Sequence, residues 1–279
     1  GVRLFTDDGD SVADVEVLEA AMGEISRLPG AFVAQHAEDR SLTENGHMHE
    51  GTLSRRLGIG GLPAEAETDV VRRDLELVAE TGARYHCQHV SAKMTVELIR
   101  RAKESGLPVT AEVTPHHLTF EESALSDLDP DFKMYPPLRE AEDRDMLAEA
   151  LRAGVIDVVA TDHAPHLPAE KETDFAGAPR GVIGLETAAA ATWEILGDRD
   201  RLFEVLSSSP ARILGLADHG LPLRPGMRAN LVVFDPDATW VPGVFRSRSS
   251  NSPYRGREMR GRVRATVCGG KLAHQEVAI

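Results

Sequence analysis

Apolar residues recur along this chain in two alternating rhythms. Runs at residues 31–34, 84–87, 108–113 and 155–160 are short and mostly apolar, aromatic or β-branched, as buried strands are. Residues 2–5, Val-Arg-Leu-Phe, read as a further strand at the start. Between the runs the spacing becomes helical. Val15, Leu18, Met22 and Ile25 fall on one helix face, as do Val71, Leu75 and Val78, then Val96, Ile99 and Ala102, then Met146, Leu147, Ala150 and Leu151. Gly82, Gly106 and Gly154 follow the last three patterns, where a left-handed C-terminal cap is expected.

Strands alternating with helices of this length imply βαβ units and a parallel sheet. Rhythm alone leaves a closed (β/α)₈ barrel and an open doubly wound sheet both standing. No Gly-x-Gly-x-x-Gly or P-loop follows any strand, which weakens nucleotide binding. After Ile213 the rhythm changes. A turn-rich junction at residues 220–226 leads to strand-like stretches at 229–234, 262–267 and 271–273 with no clear helix between them. The expected organisation is a barrel over residues 1–222 and a small β part over 223–279. Residues 40–63 form a long, glycine-rich connection of the kind that often carries function.

The net charge of −14 argues against nucleic acid or an anionic membrane as partner, since both select basic surfaces. No apolar run approaches the ~18 residues of a membrane span. Two distant cysteines, Cys87 and Cys268, suit a reducing cytoplasm better than a disulfide framework. The chain starts at Gly1, inside what reads as a strand, so an upstream piece is expected to be missing.

Ionisable residues gather at the strand ends. Asp7-Asp8-Gly9 follows the first strand, His36 the second, His89 the third, and Asp162, His163 and His166 follow residues 155–160. In a parallel barrel these ends meet on one face. Imidazoles with carboxylates from separate strands suit a divalent metal, most often zinc. Such a metal acidifies water and polarises a carbonyl, and a neighbouring aspartate can carry the proton. That combination hydrolyses an amide. Taken singly, each residue has a plainer reading: a strand-end histidine is usually hydrogen-bonded structure, and Asp-Asp-Gly is usually a turn.

Other residues read as bystanders. His47-Met48-His49 has strand-like spacing but follows Glu44-Asn45-Gly46, and a loop is expected. His116-His117 should give supporting hydrogen bonds rather than ligation. Cys87 reads as core. Ser91 shows no base and orienting group that would make it a nucleophile.

The strings Phe5-Thr6-Asp7-Asp8-Gly9, His89-Val90-Ser91, Ala111 to Leu118, Pro136-Pro137-Leu138-Arg139 and Ala160 to His166 resemble the amidohydrolase superfamily. More narrowly they are similar to aspartate-bridged bacterial dihydroorotases. Gly184-Leu185-Glu186-Thr187, Pro225-Gly226 and Asn251-Ser252-Pro253-Tyr254 carry the resemblance toward the C-terminus. It implies a distorted (β/α)₈ barrel with a small β-sandwich, and reversible conversion of N-carbamoyl-L-aspartate to L-dihydroorotate in pyrimidine synthesis. It implies two zinc ions (Zn2+): Asp8 would bridge them, His36 and His89 would hold the second, and Asp162 would hold the first and move the proton. His166 would meet the substrate carboxylate, with backbone at Arg180-Gly181 closing over the ring. A homodimer or association with aspartate transcarbamoylase is the partner expectation.

Within the superfamily, hydantoinases bridge their metals with a carbamylated lysine, and no lysine precedes Asp7-Asp8 here. Three departures stand out. No His-x-His precedes Asp8, so the chain alone is expected to be inactive. Tyr135 replaces the usual asparagine before Pro-Pro-Leu-Arg, and Asn230 a common aspartate. The rival readings are a hydantoinase or allantoinase, a non-catalytic scaffold of aspartate transcarbamoylase, and a metal-free sugar- or phosphate-binding barrel.

Overall fold

The computed structural model describes residues 1–276. Its strands, in chain order, are β1 (Leu4–Phe5), β2 (Phe32–Gln35), β3 (Met48–His49), β4 (Gly61–Leu62), β5 (Tyr85–Cys87), β6 (Val109–Val113), β7 (Val158–Val159), β8 (Leu231–Trp240), β9 (Met259–Cys268) and β10 (Lys271–Gln275). Five of them pair in parallel in the order β1-β2-β5-β6-β7. These staves follow chain order with no reversal. A doubly wound sheet reverses at its switch point, whereas barrel staves run on in sequence. The arc therefore has barrel topology, and it does not close among the described residues.

Helices form the outer layer, and their apolar stripes face the arc. Leu18, Met22 and Ile25 of the helix Val15–Ser26 are buried, as are Val71, Leu75 and Val78 of Glu65–Thr81, Val96 and Ile99 of Lys93–Glu104, and Leu147 and Leu151 of Ala141–Ala153. They pack in one cluster with Val33, Tyr85, Cys87, Ala111 and Val113 from the strands. At ~25 cal/mol per Å² of apolar surface removed from water, each such side chain contributes roughly 1.5–3 kcal/mol. Val15 departs from the expected stripe: it is the first helical residue and is exposed.

Gly82 and Gly154 end their helices with φ of 67° and 80°, and Gly106 follows its helix with φ of 79°. All three fulfil the expected capping role. The strands are shorter than the apolar runs implied. The first has two residues instead of four, and only Val158–Val159 of residues 155–160 pair as β7. Apolar content marks burial, while pairing stops where the backbone turns away toward the next helix.

One expectation is corrected. Met48–His49 is not loop: it pairs in parallel with Gly61–Leu62, forming a two-stranded ribbon inside the long connection. His47 lies outside it, so the ribbon does not present two imidazoles on one face.

β8, β9 and β10, in the part where the rhythm changes, form a separate sheet, and its pairing is antiparallel. It docks on the helix Ala188–Leu196. Trp193 Nε1 donates to the Pro236 carbonyl at 2.9 Å, and its ring meets Phe234 edge-on. The last three residues of the 223–279 part lie outside the described residues.

Candidate metal centre

The strand ends deliver their ionisable groups to one place. His36 follows β2 directly, and His89 lies two residues beyond β5. Adjacent parallel strands in register carry the two rings together, His36 Nδ1 lying 2.9 Å from His89 Nε2. Asp8 approaches from the turn after β1, its Oδ1 4.0 Å from His36 Nδ1. One ligand atom from each of the three falls within 4.8 Å of the others. Ser11 fixes this turn against β2: its hydroxyl donates to the His36 carbonyl and accepts from the Glu38 N–H at 2.7 Å.

Asp162 follows β7 and faces the same group without joining the tight cluster. Burial raises its pKa, with Asp8 and Glu112 pushing the same way against the pull of His89. His89 moves down, first because it is buried and then because His36 stands beside it, although Asp162, Glu112 and Asp8 oppose this. His89 and Asp162 both have left-handed backbone, φ 29° and 46°. Non-glycine residues rarely adopt such angles, and they cluster at functional sites where surrounding structure enforces them.

Two inward imidazole nitrogens facing each other suit a shared cation. Facing ring nitrogens at 2.9 Å share one proton, or one cation in its place. With carboxylates at hand, the donor set fits a divalent metal bound through nitrogen and oxygen. Asp8, His36 and His89 are the residues able to hold it.

The surroundings contain residues the sequence reading passed over. Glu112 on β6 accepts from the His89 N–H at 3.3 Å and meets His86 Nε2 at 3.0 Å, so it braces the His89 backbone. Burial raises its pKa, but His86 and His89 more than offset this and hold it below the usual carboxylate range. The sequence signal was a glutamate at an alternate position of an otherwise apolar strand. Glu38 meets His36 Nε2 at 3.2 Å and accepts from Thr43. Despite burial, those bonds and the charge of Arg180 keep it ionised.

Tyr135 stacks on His36, with ring centroids 5.6 Å apart and planes at 26°. Arg180 covers its other face at 3.9 Å from the ring centroid, while Arg180 Nη2 donates to the Gly46 carbonyl at 2.6 Å. His166 Nε2 bonds the Arg180 carbonyl at 2.8 Å. Asn251 links the two segments by donating to the carbonyls of Ala164 at 3.0 Å and Gly181 at 3.1 Å. Gly181 sits at φ 115°, and a Cβ there would lie 2.5 Å from the Ala164 Cβ, so only glycine fits. His166, Tyr135, Arg180 and Gly181 thus adjoin one another at the rim of the metal cluster.

The bystanders meet their expectations only in part. His117 bonds the Thr114 hydroxyl at 2.8 Å and the Pro136 carbonyl at 3.0 Å, whereas the buried Nε2 of His116 has no partner. Cys87 is fully buried, which raises its thiol pKa well above the usual value. Ser91 does have polar partners: it donates to Glu67 and accepts from Arg139 Nε at 2.8 Å. All three are buried, and the group pins the chain just after His89.

A sequence profile of the amidohydrolase family matches residues 14–273. The dihydroorotase of Mycobacterium leprae is 44% identical over 97% of this chain and 64% of its own length. That of Streptomyces coelicolor is 42% identical over 98% and 67%. Among solved structures, L-hydantoinase from Arthrobacter aurescens superposes with a TM-score of 0.82 at 27% identity, covering 99% of this chain and 65% of that one. Dihydropyrimidinase from Brevibacillus agri gives 0.80 at 24%, covering 98% and 63%, and shares the fold. The chain spans just under two thirds of the length of the mycobacterial relatives it matches. On the strength of the profile match, the parallel arc and the relatives' identity, this chain belongs to the amidohydrolase family.

Proposed function

We propose that the chain serves as catalytic barrel in a zinc-dependent dihydroorotase, interconverting L-dihydroorotate and N-carbamoyl-L-aspartate in pyrimidine synthesis. The observation that carries this is the pairing of His36 and His89 beside Asp8, with Asp162 facing them. By the resemblance, Asp8 would take the place of the modified lysine of hydantoinases, and the relatives at over 40% identity are dihydroorotases. Residues 1–222 would form the catalytic part and 223–279 the appended sheet.

Zinc bound by Asp8, His36, His89 and Asp162, two ions in the complete site, would lower the pKa of bound water toward ~7 and polarise the ring carbonyl. Asp162 takes the proton of the attacking water and returns it to the ring nitrogen as the cyclic amide bond breaks. His166 would meet the substrate carboxylate, and the backbone at Arg180-Gly181 would close over the ring. Tyr135, held between His36 and Arg180, walls the site and keeps the His36 ring from rotating.

The test is turnover by the full-length protein loaded with zinc. Dihydroorotate should be hydrolysed much faster than hydantoin; the reverse preference would move the assignment to the hydantoinases. Asp162→Ala should lower kcat by roughly 10²–10⁴-fold with circular dichroism unchanged. Undiminished activity would remove Asp162 from its role.

A further inference from the structure

Lys133 is 2% exposed, yet no carboxylate lies within 4.0 Å of it among the described residues. Its ammonium is instead turned chiefly on backbone, with the His47 ring nitrogen at the 3.5 Å limit. It donates to the carbonyls of Phe175 at 2.7 Å, Ala176 at 2.9 Å and Ala178 at 2.7 Å. Three carbonyl oxygens aimed at one point repel each other unless a cation sits among them, and a buried charge needs such partners in return. The lysine therefore does for this segment what a bound metal cation does in other loops. Its own carbonyl accepts the Gly181 N–H at 2.8 Å, so both ends of residues 174–181 are tied to one residue.

A second lysine reinforces the arrangement. Lys171 Nζ donates to the carbonyls of Pro130 and Pro179, each at 2.9 Å. Phe175 inserts its ring among Met48, Leu53 and Leu125. The charged groups around Lys133 are Arg180 and Lys171, which disfavour its charge, and Asp174, which favours it; His47 Nδ1 lies 3.5 Å away. Burial is the larger influence and lowers the Lys133 pKa to about 8. At neutral pH it keeps all three donors.

The consequence reaches the site. Tyr135 is two residues after Lys133 in the chain, and Arg180 is two residues after the last carbonyl that Lys133 holds. These two side chains stack on each other against His36. We propose that Lys133 is a positioning residue, whose grip on the Phe175, Ala176 and Ala178 carbonyls sets Arg180 and Gly181 over the substrate-facing side of Tyr135. This rests on the proposed function for the identity of the substrate, but not for the grip itself.

Lys133→Met in the full-length protein keeps the length of the side chain and removes its donors. Amide hydrogen exchange at residues 174–181 should accelerate tenfold or more, with the helix Glu65–Thr81 unchanged. KM for dihydroorotate should rise tenfold or more while kcat changes less than threefold. Unchanged exchange, or faster exchange with an unchanged KM, would overturn the proposal, as would a loss confined to kcat. If Lys133→Met does not fold, Lys133→Gln, whose shorter side chain cannot reach all three carbonyls, is read the same way, and unaltered exchange at Arg180 and Gly181 would then overturn it. Absence of dihydroorotate turnover in the unaltered protein would sink the functional reading alone, with the exchange comparison still deciding the grip of Lys133.

Discussion

His49 and His117 are imidazoles that the folded chain keeps neutral. Burial lowers both to about 4; the Arg139 guanidinium, 3.3 Å away, adds to this at His49, and the Pro136 carbonyl opposes it at His117. The unfolded chain takes up these protons near pH 6.5, whereas the folded chain refuses them until about pH 4. Their contribution to stability is therefore complete above pH 6.5 and is lost as pH falls toward 4. Each shift corresponds to roughly 3 kcal/mol when lost in full. The urea midpoint should fall between pH 7 and pH 5, and His49→Gln should flatten part of that slope. An unchanged slope would mean that His49 stays neutral for no energetic reason. At this scale the sequence is a partial guide. His36, His89 and Asp162 were legible because a strand end exposes them in series. Glu112 and Lys133 were not, because their partners lie 23 or more residues away in the chain.

Elements begin and end where local chemistry says they should. Asp14 caps the helix Val15–Ser26 by accepting from the N–H groups of Glu16 and Val17. Gly82 closes the helix Glu65–Thr81 at φ 67°, and a Cβ there would meet nothing within 4 Å. Gly82→Ala thus isolates the cost of left-handed backbone, roughly 1–2 kcal/mol, without any clash. Chemical denaturation should show that loss with activity retained; a loss above ~3 kcal/mol would point to a disturbed β5. The Met48–His49 ribbon marks where local reading fails. The strand-like spacing of His47-Met48-His49 is outweighed locally by Gly46, since its partner Gly61–Leu62 is found only once the connection folds back. Glycine permits that approach: a Cβ on Gly46 would sit 2.6 Å from the Gly61 carbonyl oxygen.

At the scale of the molecule, a ligand that binds only the folded chain stabilises it by mass action. Zinc at about a hundred times its dissociation constant should add roughly 2.7 kcal/mol to the unfolding free energy. The melting temperature should rise on adding zinc and fall again with a chelator, and His89→Ala should abolish most of the response. A His89→Ala protein that still gains the full shift would show the metal sits elsewhere. By itself the sequence determined the strand–helix alternation, the change to strand-like stretches without helices after residue 223, and the succession of ionisable groups at strand ends. Those are local properties, written in the periods of 3.6 and 2 and in capping residues. Only the tertiary structure decided that the staves run in chain order as barrel staves do, that His36 and His89 come within 2.9 Å, and that Arg180 folds over Tyr135. Such facts depend on register and on contacts between distant residues, and no local pattern encodes those.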